Sequence, residues 1–182
     1  MNLIVDTKGL KELENAIDEK AIRRATTRTV NELGRGLSTK LVKDARSEYS
    51  IKSSELKSYI KTTKADSHKP VFSMTISSSP LSLSKFQMRE KTFRTKRGKR
   101  KGVTVKVFRK QSRKVVKGGF TGTNRQIFKR TGQERLPIKK LTTLSAPQMF
   151  KEESIKDGYG EVEEKMPKIF ERNLDFYLSK KK

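Results

Sequence analysis

Apolar positions recur at spacings of three and four from Asp18 to about Ser47, at Ile22, Ala25, Thr29, Leu33, Leu37, Leu41, Val42 and Ala45. That period lines one face of an α-helix, with Leu33, Leu37 and Leu41 in a single row. Asp18 and Glu19 suit the positive end of its dipole. Gly34 and Gly36 fall inside it. Each costs about 1 kcal/mol relative to Ala, so the pair either admits a second backbone closely or marks a kink. A short leading helix is predicted from roughly Lys8 to Ile17. Another is predicted from about Ser53 to Thr62, where Leu56, Tyr59 and Ile60 share one side. Residues 7–62 thus read as a helical N-terminal part.

The period then changes to two. Val71, Ser73, Thr75 and Ser77 alternate with Phe72, Met74, Ile76 and Ser78 between Pro70 and Pro80, which predicts a half-buried strand. Leu81, Leu83 and Phe86 suggest a further short strand. Val103, Val105 and Val107 alternate with Thr104, Lys106 and Phe108, and strands are predicted from Arg113 to Phe120 and from Gln126 to Lys129. Gly118, Gly119 and Gly122 supply turns or bulges. Residues 69–130 therefore read as an antiparallel meander of about four strands, covered on one face by the long helix.

Arg135-Leu136-Pro137-Ile138 is predicted to leave the sheet. Ser145 is placed to cap a helix with Pro147 near its first turn, reaching about Asp157, where Gly158 and Gly160 break it. A last helix carries Val162, Met166, Ile169, Phe170, Leu174, Tyr177 and Leu178 on one face. Pro167 lies inside that pattern, so the helix is kinked there or begins there. The expected architecture is a single α+β domain over residues 1–182. It comprises the long N-terminal helix, the antiparallel sheet, C-terminal helices within residues 145–180 and a long basic loop at residues 89–102.

Charge changes this picture. The 182 residues hold 44 Lys and Arg against 20 Asp and Glu, a net charge of +24, and only 32% are hydrophobic. So lean a core suggests an elongated or assembly-dependent fold. From Lys85 to Lys140 there are 21 basic residues and only two acids, Glu90 and Glu134. The peak is KTFRTKRGKRK, Lys91 to Lys101, with no acid and no apolar period. Like charges so close repel one another, and the stretch reads as a mobile loop. Its bland interpretation is a solvated surface, and a nuclear localisation signal has the same composition. Its setting in a basic, strand-rich region points instead to docking on an anionic partner through Arg94, Lys96, Arg97, Lys99, Arg100 and Lys101. Such a charge concerns partners rather than fold: nucleic acid, an anionic membrane face or an acidic protein.

Composition removes several chemistries. With no Cys there is no disulfide, no thiolate nucleophile and no Cys-ligated zinc, and His68 is the only histidine. No apolar run approaches the roughly 20 residues that span a bilayer, and the first residues lack the basic and apolar regions of a signal peptide. A protein made in a reducing cytoplasm is expected, with no membrane, cofactor, metal or small-molecule substrate. Phosphate-loop, dinucleotide, zinc-protease and serine-hydrolase signatures are all missing. Glu152, Glu153, Glu161, Glu163 and Glu164 cluster on helical segments, where a metal-dependent nuclease would use carboxylates, but they read as helix surface. No run of exposed aromatics, zinc-finger spacing or clear helix-turn-helix is present. What remains is a set of Lys and Arg able to contact phosphates without reading sequence.

The run GGFTGTNRQIFKRTGQERLPIKKLTTLSAPQM, from Gly118 to Met149, resembles the prophage minor tail protein Z family of tailed phages. In that family a G-A-F strand leads to a V-F-x-R strand and a Gly turn, then an R-L-P-I segment and a P-S-x-P-Q-M-like helix start. The matching residues are Gly119, Phe120, Phe128, Arg130, Gly132, Arg135, Leu136, Pro137, Ile138, Pro147 and Met149. The sequence departs at Gly119, where Ala is common, and at Thr143-Leu144, where Gly-Pro is common. The resemblance implies a structural, non-enzymatic virion component at the head-proximal end of the tail or at the neck. It implies a ring around the DNA passage, possible hexameric self-association, and tail-terminator and head-completion or connector proteins as neighbours. On this view the basic loop faces either double-stranded DNA or an acidic neighbour. A sequence-nonspecific RNA- or DNA-binding factor is the alternative that the charge alone allows.

Overall fold

A computed structural model describes residues 19–96 and 98–179. The leading helix expected near Lys8 to Ile17 lies outside the described residues. Among the described residues there are three α-helices: α1 (Glu19–Glu48), α2 (Ser53–Lys57) and α3 (Glu152–Ser179). Ten short strands accompany them: β1 (Ile60–Thr63), β2 (Ser73–Ile76), β3 (Pro80–Ser82), β4 (Gln87–Thr95), β5 (Gly98–Lys106), β6 (Lys114–Val116), β7 (Gly119–Thr121), β8 (Ile127–Arg130), β9 (Ile138–Lys140) and β10 (Thr142–Ser145). The chain is therefore α+β, with a long N-terminal helix, antiparallel sheets and a C-terminal helix.

The strand count is a correction. The expected sheet of about four strands is four small sheets, β1–β2, β3–β10, β4–β5–β6 and β7–β8–β9. Local backbone breaks divide it. A 3-10 turn at Leu83–Lys85 follows β3, and Gly118 at φ 73 separates β6 from β7, which enter different sheets. Ile138 does not leave the sheet but pairs with Arg130, and the Leu136–Pro137 peptide preceding it is cis.

Two compact units divide the chain. The first takes the described parts of Met1–Ser38, Thr62–Met74 and Asp157–Lys182. Here Ala21, Ala25, Thr29 and Leu33 are buried at spacings of four along α1. Arg28, Thr29 and Glu32 meet Phe176, Asn173 and Arg172 of α3, so the two helix segments run antiparallel. The buried Asn173 amide donates to Thr29 Oγ1 at 3.0 Å, and Arg172 Nη2 donates to both Glu32 oxygens at 2.6 and 2.7 Å. The Asn31 side chain bonds both the N–H and the C=O of Ala65 at 2.9 Å, and Asp66 Oδ1 accepts from the backbone N–H groups of His68 and Lys69. The single histidine thus sits in a small side-chain-stabilised turn.

α3 corrects a second expectation. It runs unbroken through Gly158, Gly160 and Pro167. A Cβ on Gly158 would lie 2.4 Å from Leu37 Cδ1, and one on Gly34 would lie 2.4 Å from the Phe72 ring. These glycines admit close side chains; the packing they allow offsets their poor helix propensity. Nor does Ser145 cap a helix. Its N–H and hydroxyl both donate to Gln148 Oε1, Pro147–Met149 form one 3-10 turn, and the helix starts at Glu152.

The second unit comprises Thr39–Lys61 and Thr75–Lys156. Its buried residues include Leu41, Val42 and Ala45 from the end of α1, together with Leu56, Leu81, Phe86, Val103, Val105, Ile127 and Met149. After α1 the segment Glu48–Ile51 is threaded between two strand ends. Ser50 N–H donates to Val107 O and its C=O accepts from Gln87 N–H, while Arg109 N–H donates to Glu48 O. Bridges Tyr49–Phe108 and Ile51–Phe86 complete this ladder, with the Tyr49 and Phe108 rings 5.1 Å apart. The helix end thereby anchors the roots of β4 and β5.

Candidate nucleic-acid interface

The stretch expected to be a mobile loop, residues 89–102, is instead the far part of a β-hairpin. β4 and β5 pair in continuous register from Gln87–Lys106 to Thr95–Gly98, and Lys96 follows β4. Arg97 lies outside the described residues. Local chemistry explains why a run of like charges closes. Thr92, Thr95, Val103 and Val105 favour extended backbone, and Gly98 takes φ 111 beside the turn. Phe93 crosses to the other strand, where a Cβ on Gly102 would lie 2.9 Å from Phe93 Cε2. An aromatic ring laid over a cross-strand glycine supplies the packing that the charged neighbours do not.

β6 pairs only with Val103, Thr104 and Val105. Beyond that root the hairpin is two strands wide. Every residue from Arg89 to Lys101 whose side chain is described is exposed, except the half-buried Phe93. Alternation places Arg89, Lys91, Phe93 and Arg100 on one face and Glu90, Thr92, Arg94, Lys99 and Lys101 on the other. Both faces thus carry cations. Arg94 lies directly opposite Lys99, an arrangement that costs stability in a sheet. Among the described residues no ion pair engages Arg89, Arg94, Lys96, Lys99, Arg100 or Lys101. Lys91 Nζ lies 5.9 Å from the Phe93 ring centroid. The major groove of B-form DNA is wide enough to admit a two-stranded ribbon, and exposed cations are the groups that can contact phosphates irrespective of base sequence.

The structure joins Arg94, Lys96, Lys99, Arg100 and Lys101 on one ribbon and adds Arg89 and Lys91, which sequence reasoning did not single out. Their signal is alternation: paired with Thr104 and Gly102, they fall on the face of Arg100.

The motif residues gather elsewhere, chiefly on β7–β8–β9. Phe120 pairs with Phe128, with rings 6.2 Å apart, and Gly119 pairs with Lys129. The Arg130 guanidinium lies 5.3 Å from the Phe120 ring and donates to the Arg135 carbonyl, closing the turn before Pro137. Met149 is buried beside the 3-10 turn that Pro147 opens. Leu136 and Ile138 are 64% and 40% exposed, so they are surface apolar residues rather than core.

Two acidic residues of α3 pair with lysines one turn away, Glu152 with Lys156 and Glu161 with Lys165. Among the described residues no group of three or more His, Asp or Glu is placed to hold a metal ion, and no helix is long and apolar enough to cross a membrane.

The family model of prophage minor tail protein Z matches residues 7–181. No curated protein and no solved structure matches the chain.

Proposed function

The chain belongs to the prophage minor tail protein Z family, a phage tail component, and from that premise we propose that it acts at the head-proximal end of the tail, at the head–tail junction. It is one subunit of a ring around the DNA passage, and its basic ribbon is turned toward the DNA. The observation that carries this reading is the ribbon itself, exposed on both faces and without carboxylate partners among the described residues. A polypeptide that leaves so much positive charge unpaired gains most from a polyanion, and ring symmetry would repeat that charge around one axis. The exposed Leu136 and Ile138 support a neighbour contact: a copy of this chain, or a tail-terminator or connector protein, covers them. Its role is structural. A free nucleic-acid-binding factor would use the same ribbon, but the family match favours the virion.

The test is made in the phage. Replacing Lys96, Arg97, Lys99, Arg100 and Lys101 by Gln is expected to leave tails formed while DNA retention and infectivity fall. Antibody labelling of purified particles is expected at the neck. Unchanged infectivity, or label confined to the distal tail, overturns the reading.

A further inference from the structure

At the root of the ribbon lies a cleft of about 380 Å³ within the second unit. Arg46, Lys52, Lys85, Arg109 and Arg125 line it, and Glu55 is its single acid. Glu55 is already committed, since its carboxylate bonds Lys85. Arg46 donates from Nε to the Ile51 carbonyl at 3.3 Å, a neutral acceptor. Among the described residues Lys52, Arg109 and Arg125 have no carboxylate partner. Among the described residues, four cations thus line one concavity without a carboxylate partner.

The backbone is bent to achieve this. Asn124 and Arg125 have φ 56 and 57, two successive left-handed residues of which neither is glycine. Asn tolerates that region; Arg gains nothing from it locally. Such a conformation persists only where its surroundings hold it, and it clusters at ligand sites. Here it delivers Arg125 to the cleft. Arg109 and Arg46 arrive by a different route, through the ladder that ties Glu48–Ile51 to the strand roots.

We propose that this cleft is a phosphate seat for the backbone of double-stranded DNA, separate from the ribbon and acting with it. The inference rests on the reading that the ribbon faces DNA. Three observations choose the occupant. Gln87 and Met88 line the cleft and also open β4, whose next residue is the exposed Arg89, so the cleft adjoins the ribbon's basic stretch, as suits a ligand with repeating anions. Guanidinium groups grip phosphate oxygens through paired N–H donors. Phe86, the one aromatic residue at the cleft, is 4% exposed, so no platform exists for stacking unpaired bases as single strands require. Phosphate contacts position a protein on the duplex. The seat fixes how deep and in what direction the ribbon lies in the groove.

The experiment uses the purified full-length chain and a short mixed-sequence duplex, with affinity followed as salt is raised. Two variants are compared: Lys52, Arg109 and Arg125 to Gln in the cleft, and the five ribbon residues to Gln. Each lost phosphate contact removes about 0.9 from the salt slope, so the cleft variant is expected to be shallower by about 2.7. Hydroxyl-radical footprints are expected to lose protection beside the groove while the ribbon's own protection persists. Arg109→Lys with Arg125→Lys is expected to restore most of the slope. At constant ionic strength, inorganic phosphate is expected to raise the melting temperature of the wild type but not of the cleft variant. A cleft variant with unchanged slope and footprint overturns the seat while leaving the ribbon reading intact. A wild type that ignores duplex, or that prefers single-stranded RNA, overturns both.

Discussion

Where α1 meets α3, Glu32 receives two hydrogen bonds from Arg172 and the buried Asn173 amide satisfies Thr29; along the ribbon, Arg94 faces Lys99, and among the described residues neither has an ion-pair partner. At this contact the helical unit settles polar groups internally. In the ribbon, Phe93 over Gly102 and the register of two strands hold the shape, and the charge is left for something outside the molecule. Side chains that complete one another locally stabilise the fold. Side chains that repel one another at some cost to the fold mark a surface shaped for a partner.

The strongest way to break this contrast is to remove a satisfied buried group. Asn173→Ala strands the Thr29 hydroxyl and opens a void, and is expected to cost about 2–3 kcal/mol in a denaturant titration. A loss below about 0.5 kcal/mol, the scale of neutral surface changes, would show that the helix contact does not depend on it. Arg94→Thr tests the opposite case. Relieving the pair with Lys99 is expected to leave stability unchanged or raise it by about 0.2–1 kcal/mol, while duplex affinity falls. A lowered melting temperature would mean that the ribbon needs its own charge to fold.

The smallest effect is in pH. The Glu32 carboxyl is held below its usual range, first by the hydrogen bond from Arg172 and further by that group's charge. A carboxylate with a depressed folded pKa contributes stability that is present above its unfolded value and fades as pH falls through the folded one. Both side chains are partly exposed, so the contribution is of surface-bridge size, about 0–1 kcal/mol. Wild type and Glu32→Gln are expected to differ in melting temperature at neutral pH and to converge below the ordinary carboxylate range. A constant difference across that window would contradict the bond.

Much of the first unit was legible in the chain. The spacing of Ala25, Thr29 and Leu33 specifies which side of α1 is buried, because helical period is a local property. The reach of α3 was not legible. Gly158, Gly160 and Pro167 argue for breaks, and the contacts that outweigh them come from residues such as Leu37 and Thr29, far away in sequence. The ribbon was half legible. Its charge and its Thr and Val content were visible, but repulsion among neighbours argued for a loop, and the cross-strand match of Phe93 with Gly102 exists only once the strands pair. The cleft left no trace, since Arg46, Lys52, Arg109 and Arg125 belong to separate segments and share no spacing.

By itself, the order of residues determined the helical and alternating periods, the concentration of charge between Lys85 and Lys140, and the family motif from Gly119 to Met149. All of these are properties of neighbours along the chain. Only the tertiary structure decided that the charged stretch pairs as a ribbon, that α3 continues unbroken, and that four separate cations surround one cleft. Those outcomes depend on which distant side chains packing brings into contact, and local sequence cannot encode that distance.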